Sequence, residues 1–344
     1  MNILVTGATG AIGAQLAKHL TEQSNNVISI LHDIRPVNSA KALGVFDEIT
    51  WAQGDVTDGN LIKRIVADYD VKEVYHLAAL PIVQTGLRVY IPVYHTNVFG
   101  TLAVLEAIRD QRNAGYDVKM LHLSTDKVYG YGRPSSEVRV TPSNPRNPNP
   151  PKITPHQKDF SEEDCLKGMA PYENSKACAD LICQGYAKTF ELDIRIVRGC
   201  NIYGPADFNS RIIPNTIRRL LAGKPAIVWT GLNYVREYIF VKDLVLGMEQ
   251  VMRRGKAGDV FNIGSGVLGT QQEVIAEIMK HFEHGAIQEI APPSYTSYEI
   301  QYQALDHSRI SRALGWNPIT TFEEGIKRTV DWWSDYTKKQ DLKA

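Results

Sequence analysis

Near its amino terminus the chain changes hydrophobic period, and a glycine-rich turn marks the change. Ile3-Leu4-Val5 is an unbroken apolar run, Thr6-Gly7-Ala8-Thr9-Gly10-Ala11-Ile12-Gly13 follows it, and Ile12, Leu16, Ala17 and Leu20 then recur at helical spacing. Strand, glycine turn and helix in that order open a βαβ unit, which restricts the fold more than any other stretch. The rhythm continues. Further strands are expected at 27–31, 49–52, 73–77, 119–124 and 194–197, and helices over 61–69, 97–112 and 172–190. Strands read as apolar runs between helices belong to a parallel sheet covered on both faces. The expected fold is α/β, a doubly wound parallel (Rossmann) sheet with a smaller mixed α/β lobe. Its crevice should lie beyond the carboxyl ends of the strands.

A chain of 344 residues is long enough for such a sheet plus a lobe. Residues 1–198 are expected to form the dinucleotide-binding domain and 199–344 mainly a substrate-binding lobe, with 241–263 packing back on the first domain. Residues 133–164 break the rhythm with Pro142, Pro145, Pro148, Pro150, Pro151 and Pro155. Such a stretch forms neither helix nor inner strand. It reads as a surface excursion before a lid.

Charge and cysteine content exclude several classes. Lys plus Arg equals Asp plus Glu at 38 each, so no net field points to nucleic acid or an anionic membrane. The four cysteines form no CxxC pair, and no His or Cys spacing matches a zinc site, so no metal is expected. The amino terminus lacks a cationic start, and no apolar run is long enough for a bilayer. A cytoplasmic protein is expected.

The glycine turn predicts a bound dinucleotide. Gly7 permits the tight turn, Gly10 lets backbone near the pyrophosphate, and Gly13 lets helix and strand pack closely, with Thr9, Ala11 and Ile12 between them. The second strand runs into Leu31-His32-Asp33-Ile34-Arg35. Asp33 could hold ribose hydroxyls, which favours NAD. It falls a residue or two late, however, and His32 and Arg35 could meet a ribose phosphate, so NADP stays open. Arg35 reads equally as a solvated loop charge. Asp55 and Val56 are placed to touch the adenine, and Leu77-Ala78-Ala79 offers small side chains where backbone passes the cofactor.

A second motif, Tyr172-Glu173-Asn174-Ser175-Lys176, puts a phenol and an ammonium one helical turn apart. A tyrosine is a poor base near neutral pH, but a nearby ammonium and an oxidised nicotinamide both favour its phenolate. Tyr172 could then take a proton from an alcohol as hydride leaves the same carbon. The fifth strand ends in Ser124-Thr125-Asp126-Lys127-Val128-Tyr129-Gly130. Thr125 can bond the reacting hydroxyl. Asp126 and Lys127 add two titratable groups that simple alcohol oxidation does not need, which points to a second proton transfer.

These motifs, with His76-Leu77-Ala78-Ala79 and Leu314-Gly315-Trp316-Asn317-Pro318, resemble the extended short-chain dehydrogenase/reductases that act on nucleotide sugars. Within them, Ser-Thr-Asp-Lys before Val-Tyr-Gly, the segment from Tyr172 to Asp180, Asn201-Ile202-Tyr203-Gly204-Pro205 and Ser210-Arg211-Ile212-Ile213-Pro214 look most like CDP-glucose 4,6-dehydratase and its relatives. The resemblance implies NAD chemistry on a nucleotide-diphosphate sugar, with a CDP-hexose named first. Thr125, Tyr172 and Lys176 would handle oxidation at C4, Lys127 and Asp126 the loss of water across C5 and C6. Tyr172 and Lys176 would also meet the cofactor. It implies substrate contacts from Asn201, Arg211 and Arg236, a weaker one from Arg309, and a homodimer built on the helices over 97–112 and 177–190. A nucleotide-sugar 4-epimerase is the alternative, and a non-catalytic NAD(P)-sensing protein a third reading. Two departures stand out. The stretch from Pro292 to Ser297 has no arginine, and the Pro/Asn-rich excursion is long.

Overall fold

The computed structural model describes residues 1–33, 35–81, 90–130, 159–232, 234–292 and 300–341. Numbered in chain order, strands β1 (Asn2–Thr6), β2 (Asn26–Leu31), β3 (Thr50–Gln53), β4 (Glu73–His76), β5 (Lys119–Thr125), β6 (Ile194–Gly199) and β10 (Val260–Ile263) form one parallel sheet. Their spatial order is β3-β2-β1-β4-β5-β6-β10, so the winding reverses between β1 and β4. Period-two alternation splits each strand between two cores. Ile3 and Val5 of β1 join a core with Leu16, Leu244 and Met248, under the helices Ala11–Glu22 and Val241–Arg254. Leu4 faces Ile65, Leu105 and Cys183, under the helices Gly59–Asp68, Gly100–Asn113 and Pro171–Thr189.

The smaller lobe is built on β7 (Asn201–Tyr203), β8 (Ala226–Trp229), β9 (Val235–Phe240), β11 (Leu268–Thr270), β12 (Ile287–Ile290) and β13 (Tyr302–Gln303). β9 pairs with β7, β11 and β13, and β8 pairs with β12. The helices Ile212–Leu221, Gln271–Met279 and Phe322–Asp341 close over a third core containing Tyr203, Ile217, Val274 and Trp333. Trp332, Trp333 and Tyr336 pack around Phe208, with ring centroids at 6.1, 5.1 and 5.5 Å. They are packing residues.

The helix expected over 97–112 differs in one respect. Helix Tyr90–Tyr94 leads into a π-helical turn, His95–Phe99, before Gly100–Asn113. Pro92 sits in a first turn, where its missing N–H costs nothing. Asn97, in the π turn, is buried. Most of the Pro-rich excursion, 133–158, lies outside the described residues, as do 293–299. Its end is described: Phe160 bridges to Leu305 and stacks on Tyr129 at 4.9 Å between centroids.

Candidate active site

Where the winding reverses, a cleft of about 960 Å³ opens at the carboxyl ends of β1, β2 and β4. Thr6, Gly7, Thr9, Gly10, Ala11, Ile12 and Gly13 line its floor. Gly7 has φ +79°, and a Cβ there would come within 3.0 Å of the Ala78 nitrogen. A Cβ on Gly13 would sit 2.2 Å from the Gly7 carbonyl oxygen. Two backbones therefore meet where no side chain fits. The helix Ala11–Glu22 begins at Gly10 with no capping side chain and no acidic residue in its first turn. Its orphan amides and the positive end of its dipole are at the cleft, a setting that suits a diphosphate.

One wall carries Asp33, Arg35, Asp55 and Val56. His32 lies between two carboxylates, Nδ1 at 3.2 Å from Asp33 and Nε2 at 2.9 Å from Asp55. The other wall holds Leu77, Ala78 and Ala79. Their turn is pinned by Thr6, whose Oγ1 accepts from the amides of Leu77 (3.0 Å) and Ala78 (3.1 Å). Val56 packs against Gly100, where a Cβ would come within 2.8 Å.

Beyond Leu123, at the end of β5, lies a cluster of titratable side chains. Thr125 donates to Asp126 Oδ1 at 3.0 Å and lies near enough to the Tyr172 phenol to act on it. Burial pushes the Tyr172 phenol up to about 12; Arg211 and Thr125 pull it down, while Asp126 pushes it further up. Arg211 and Leu123 line the cleft, whereas Tyr172, Thr125, Asp126, Lys127 and Lys176 are not among its lining residues; the Tyr172 phenol is buried and feels the Arg211 charge. Asp126 is buried, and burial raises its carboxyl above the usual range against the pull of Lys127, Thr125 and Arg236. Among the described residues its Oδ2 has no hydrogen-bond partner. Lys127 Nζ donates to Gln303 Oε1 at 3.2 Å, a contact from the first domain to β13. A carboxyl whose hold on its proton burial strengthens, beside an amine, is suited to acid and base work at adjacent carbons.

Lys176 is placed differently from the expectation that its ammonium would steady the phenolate. Its Nζ donates to the Leu123 carbonyl at 2.6 Å and lies 3.3 Å from His122 Nε2. Burial lowers its pKa from 10.5 to about 8, partly offset by Cys183 and Asp180. His122 lies 5.4 Å from His76, ring to ring, and both rings are held neutral, first by burial and then by Lys176.

Residues 3–264 match the NAD dependent epimerase/dehydratase family. The chain belongs to this family. The dTDP-glucose 4,6-dehydratase of Salmonella typhimurium is 30% identical over 353 residues, covering 97% of this chain and 92% of the relative. The structure of a dTDP-glucose 4,6-dehydratase from Streptomyces venezuelae, solved with NAD bound, superposes with a TM-score of 0.82 at 27% identity over 97% of each chain. A UDP-glucose 4-epimerase from Thermotoga maritima, at 24% identity and a TM-score of 0.79, covers 98% of this chain and 100% of its own and shares the fold.

Other side chains of this family member were not singled out by sequence reasoning. Asn38, Ser39, His95, Thr96, Phe208 and Asn209 also line the cleft. Only Asn38 carried a signal, as an N-cap: its Oδ1 accepts from Lys41 N at 3.0 Å. Asn97 accepts from Leu80 N at 2.8 Å and donates to Ser175 Oγ at 2.9 Å, tying the cleft loop to the Tyr172 helix. Among the proposed substrate residues, Arg211 reaches the cleft. Arg236 is buried near Asp126 and lies over the Tyr234 ring at 5.3 Å. Asn201 is outside the cleft wall, its amide donating to the Glu237 carbonyl at 3.1 Å. Arg309 is away from the cleft too, pairing with Glu163 at 3.6 Å and Asp259 at 3.7 Å. Among the described residues no His, Cys, Asp and Glu cluster could hold a metal, and no helix is long and apolar enough to cross a membrane.

Proposed function

We propose that this chain is a nucleotide-sugar 4,6-dehydratase. The observation that carries the reading is the buried cluster of Tyr172, Thr125, Asp126 and Lys127, tied to the cleft through Arg211, with Asp126 Oδ2 buried and unpartnered among the described residues. An epimerase, which only oxidises and re-reduces one carbon, has no use for the second acid–base couple.

The cleft fits NAD: the glycine cradle and uncapped helix end suit the diphosphate and Asp33 and Asp55 the adenosine end; Tyr172 and Lys176, the latter bonded to the carbonyl of the lining residue Leu123, would meet the nicotinamide end. Bound NAD supplies the acceptor for the C4 hydride and later the hydride donor to C6. Tyr172 takes the C4 hydroxyl proton, steadied by Thr125 and Arg211. The C4 ketone so formed acidifies the C5 proton, and Lys127 removes it. Asp126 gives its proton to the C6 hydroxyl, which leaves as water as the C5–C6 double bond forms. Lys127 returns its proton to C5 when hydride reaches C6, leaving a 4-keto-6-deoxy sugar and the oxidised cofactor. Arg211 and Arg236 serve the anionic part of the substrate and the acid–base couple.

Two of the relatives named above are dTDP-glucose 4,6-dehydratases, which sets a dTDP-hexose ahead of the CDP-hexose expected from the motif resemblance. The test is a panel of dTDP-, CDP-, UDP- and GDP-glucose, with NMR analysis of the product. A C6 methyl beside a C4 ketone supports the reading, and an inverted C4 hydroxyl replaces it with epimerisation. Residues 1–198 with 241–263 form the cofactor half in this reading, and the rest the substrate half. A homodimer is supported by Phe99, Leu181 and Phe190, exposed by 56, 55 and 40% on the helices beside the site. The reduced thiols of Cys178, Cys183 and Cys200 suit the cytoplasm.

A further inference from the structure

We propose that Gln303, from the smaller lobe, is the positioning residue that orients Lys127 without placing a charge on its amine. The inference rests on the dehydratase reading above. Gln303 is fully buried, yet one end of its amide is already engaged, since Oε1 accepts from Lys127 Nζ at 3.2 Å. Nε2 is buried with no hydrogen-bond partner among the described residues. A buried amide donor left unpaired is costly, so a residue that served packing alone would be apolar. β13 places Gln303 in register with Arg236 of β9, and Arg236 in turn acts on Asp126. The amide therefore belongs to the pocket that holds the acid–base couple.

The chemistry of the acceptor explains why it is neutral. An uncharged carbonyl can accept one N–H from a neutral amine and turn the nitrogen lone pair elsewhere. A carboxylate at the same distance would instead hold the ammonium and close the base form. Among the described residues the following charges neighbour this amine. Asp126 is beside it in the same turn, Arg236 comes from β9, and Tyr172 and Arg211 stand across Asp126. Glu237, next to Arg236, has its carboxylate taken up by the amides of Ser265, Gly266 and Leu305, at 2.7, 2.7 and 2.8 Å. Gln303 is thus the direct, uncharged partner of Lys127 among the described residues.

Two substitutions move the amine in opposite directions. Gln303→Glu puts a carboxylate on Lys127 and should shift the rising limb of the kcat–pH profile upward by about 1–3 units. Gln303→Met removes the acceptor and should shift the same limb downward with a lower plateau. The assay is steady-state formation of the 4-keto-6-deoxy product from dTDP-glucose and from CDP-glucose. A single-turnover trace of reduced-nicotinamide absorbance reports the C4 oxidation separately, and its rate should hold in both variants. Lower kcat in both with an unmoved limb means Gln303 is only structural and overturns the proposal, as does a slowed C4 oxidation with normal later steps. If Gln303→Glu does not fold, the Met variant decides alone by the direction of its limb. If the wild-type enzyme forms no such product from any sugar of the panel, the dehydratase reading fails instead.

Discussion

Lys176 should make the cofactor-free protein less stable than a neutral residue would. Its pKa falls from 10.5 to about 8, so the fold favours the neutral amine. The sign follows from proton counts. Between the two values the unfolded chain binds more protons than the native one, so stability rises with pH there and the penalty is full below the lower value. That fall corresponds to about 3 kcal/mol. Lys176→Met removes that penalty but also the 2.6 Å bond to the Leu123 carbonyl, which offsets about 1 kcal/mol. The variant should therefore be more stable by about 2 kcal/mol near neutral pH, and the gain should vanish toward the unfolded pKa of about 10.4. Nothing near it confuses the window: burial keeps His76 at about 3 and raises Cys183. Urea unfolding of both proteins without NAD, followed by tryptophan fluorescence from neutral to alkaline pH, measures the gap. Equal stability near neutral pH, or a gap that does not narrow as pH rises, refutes the assignment of a strained buried amine.

Tyr172→Phe should lower kcat by about 10²- to 10⁴-fold, as loss of a general base does, while fluorescence titration shows NAD affinity within about tenfold, or 1.4 kcal/mol. Normal turnover would remove the phenol from the reaction. In Gly13→Ala the new methyl would lie 2.2 Å from the Gly7 oxygen, so the turn must shift; NAD affinity measured by calorimetry should drop about tenfold or more, and unchanged affinity would mean the turn does not cradle the cofactor. Arg198 and Asp180 form a buried pair, Nε to Oδ2 and Nη2 to Oδ1 both at 2.9 Å. Arg198→Met should cost about 3–5 kcal/mol, and adding Asp180→Leu should recover much of it; a double variant as unstable as the single one would exclude an unpaired charge as the cause.

The parallel sheet was legible because its strands lie between helices on both faces and so read as apolar runs, from Ile3-Leu4-Val5 to residues 194–197. The cleft followed from the glycine turn, since Gly7 and Gly13 sit where backbone meets backbone. The smaller lobe was less legible. β7 has three residues and β13 two, too short for a period to register. Partners were hidden for another reason. Lys176 bonds a backbone carbonyl, which no residue pattern records, and Lys127 meets Gln303 across 176 positions of sequence. Asp126 was found by its neighbours in the motif, but its burial comes from the packing of the two sheets around it. Spacing along a helix gave Tyr172 and Lys176 one face and said nothing of where the ammonium ends.

The polypeptide leaves the large sheet at Gly199, returns to it at Val260 and departs again for Leu268. Several short bridges thus stitch the halves together, and no single joint lets one swing wide of the other. Any movement of one half against the other must bend all of those bridges together.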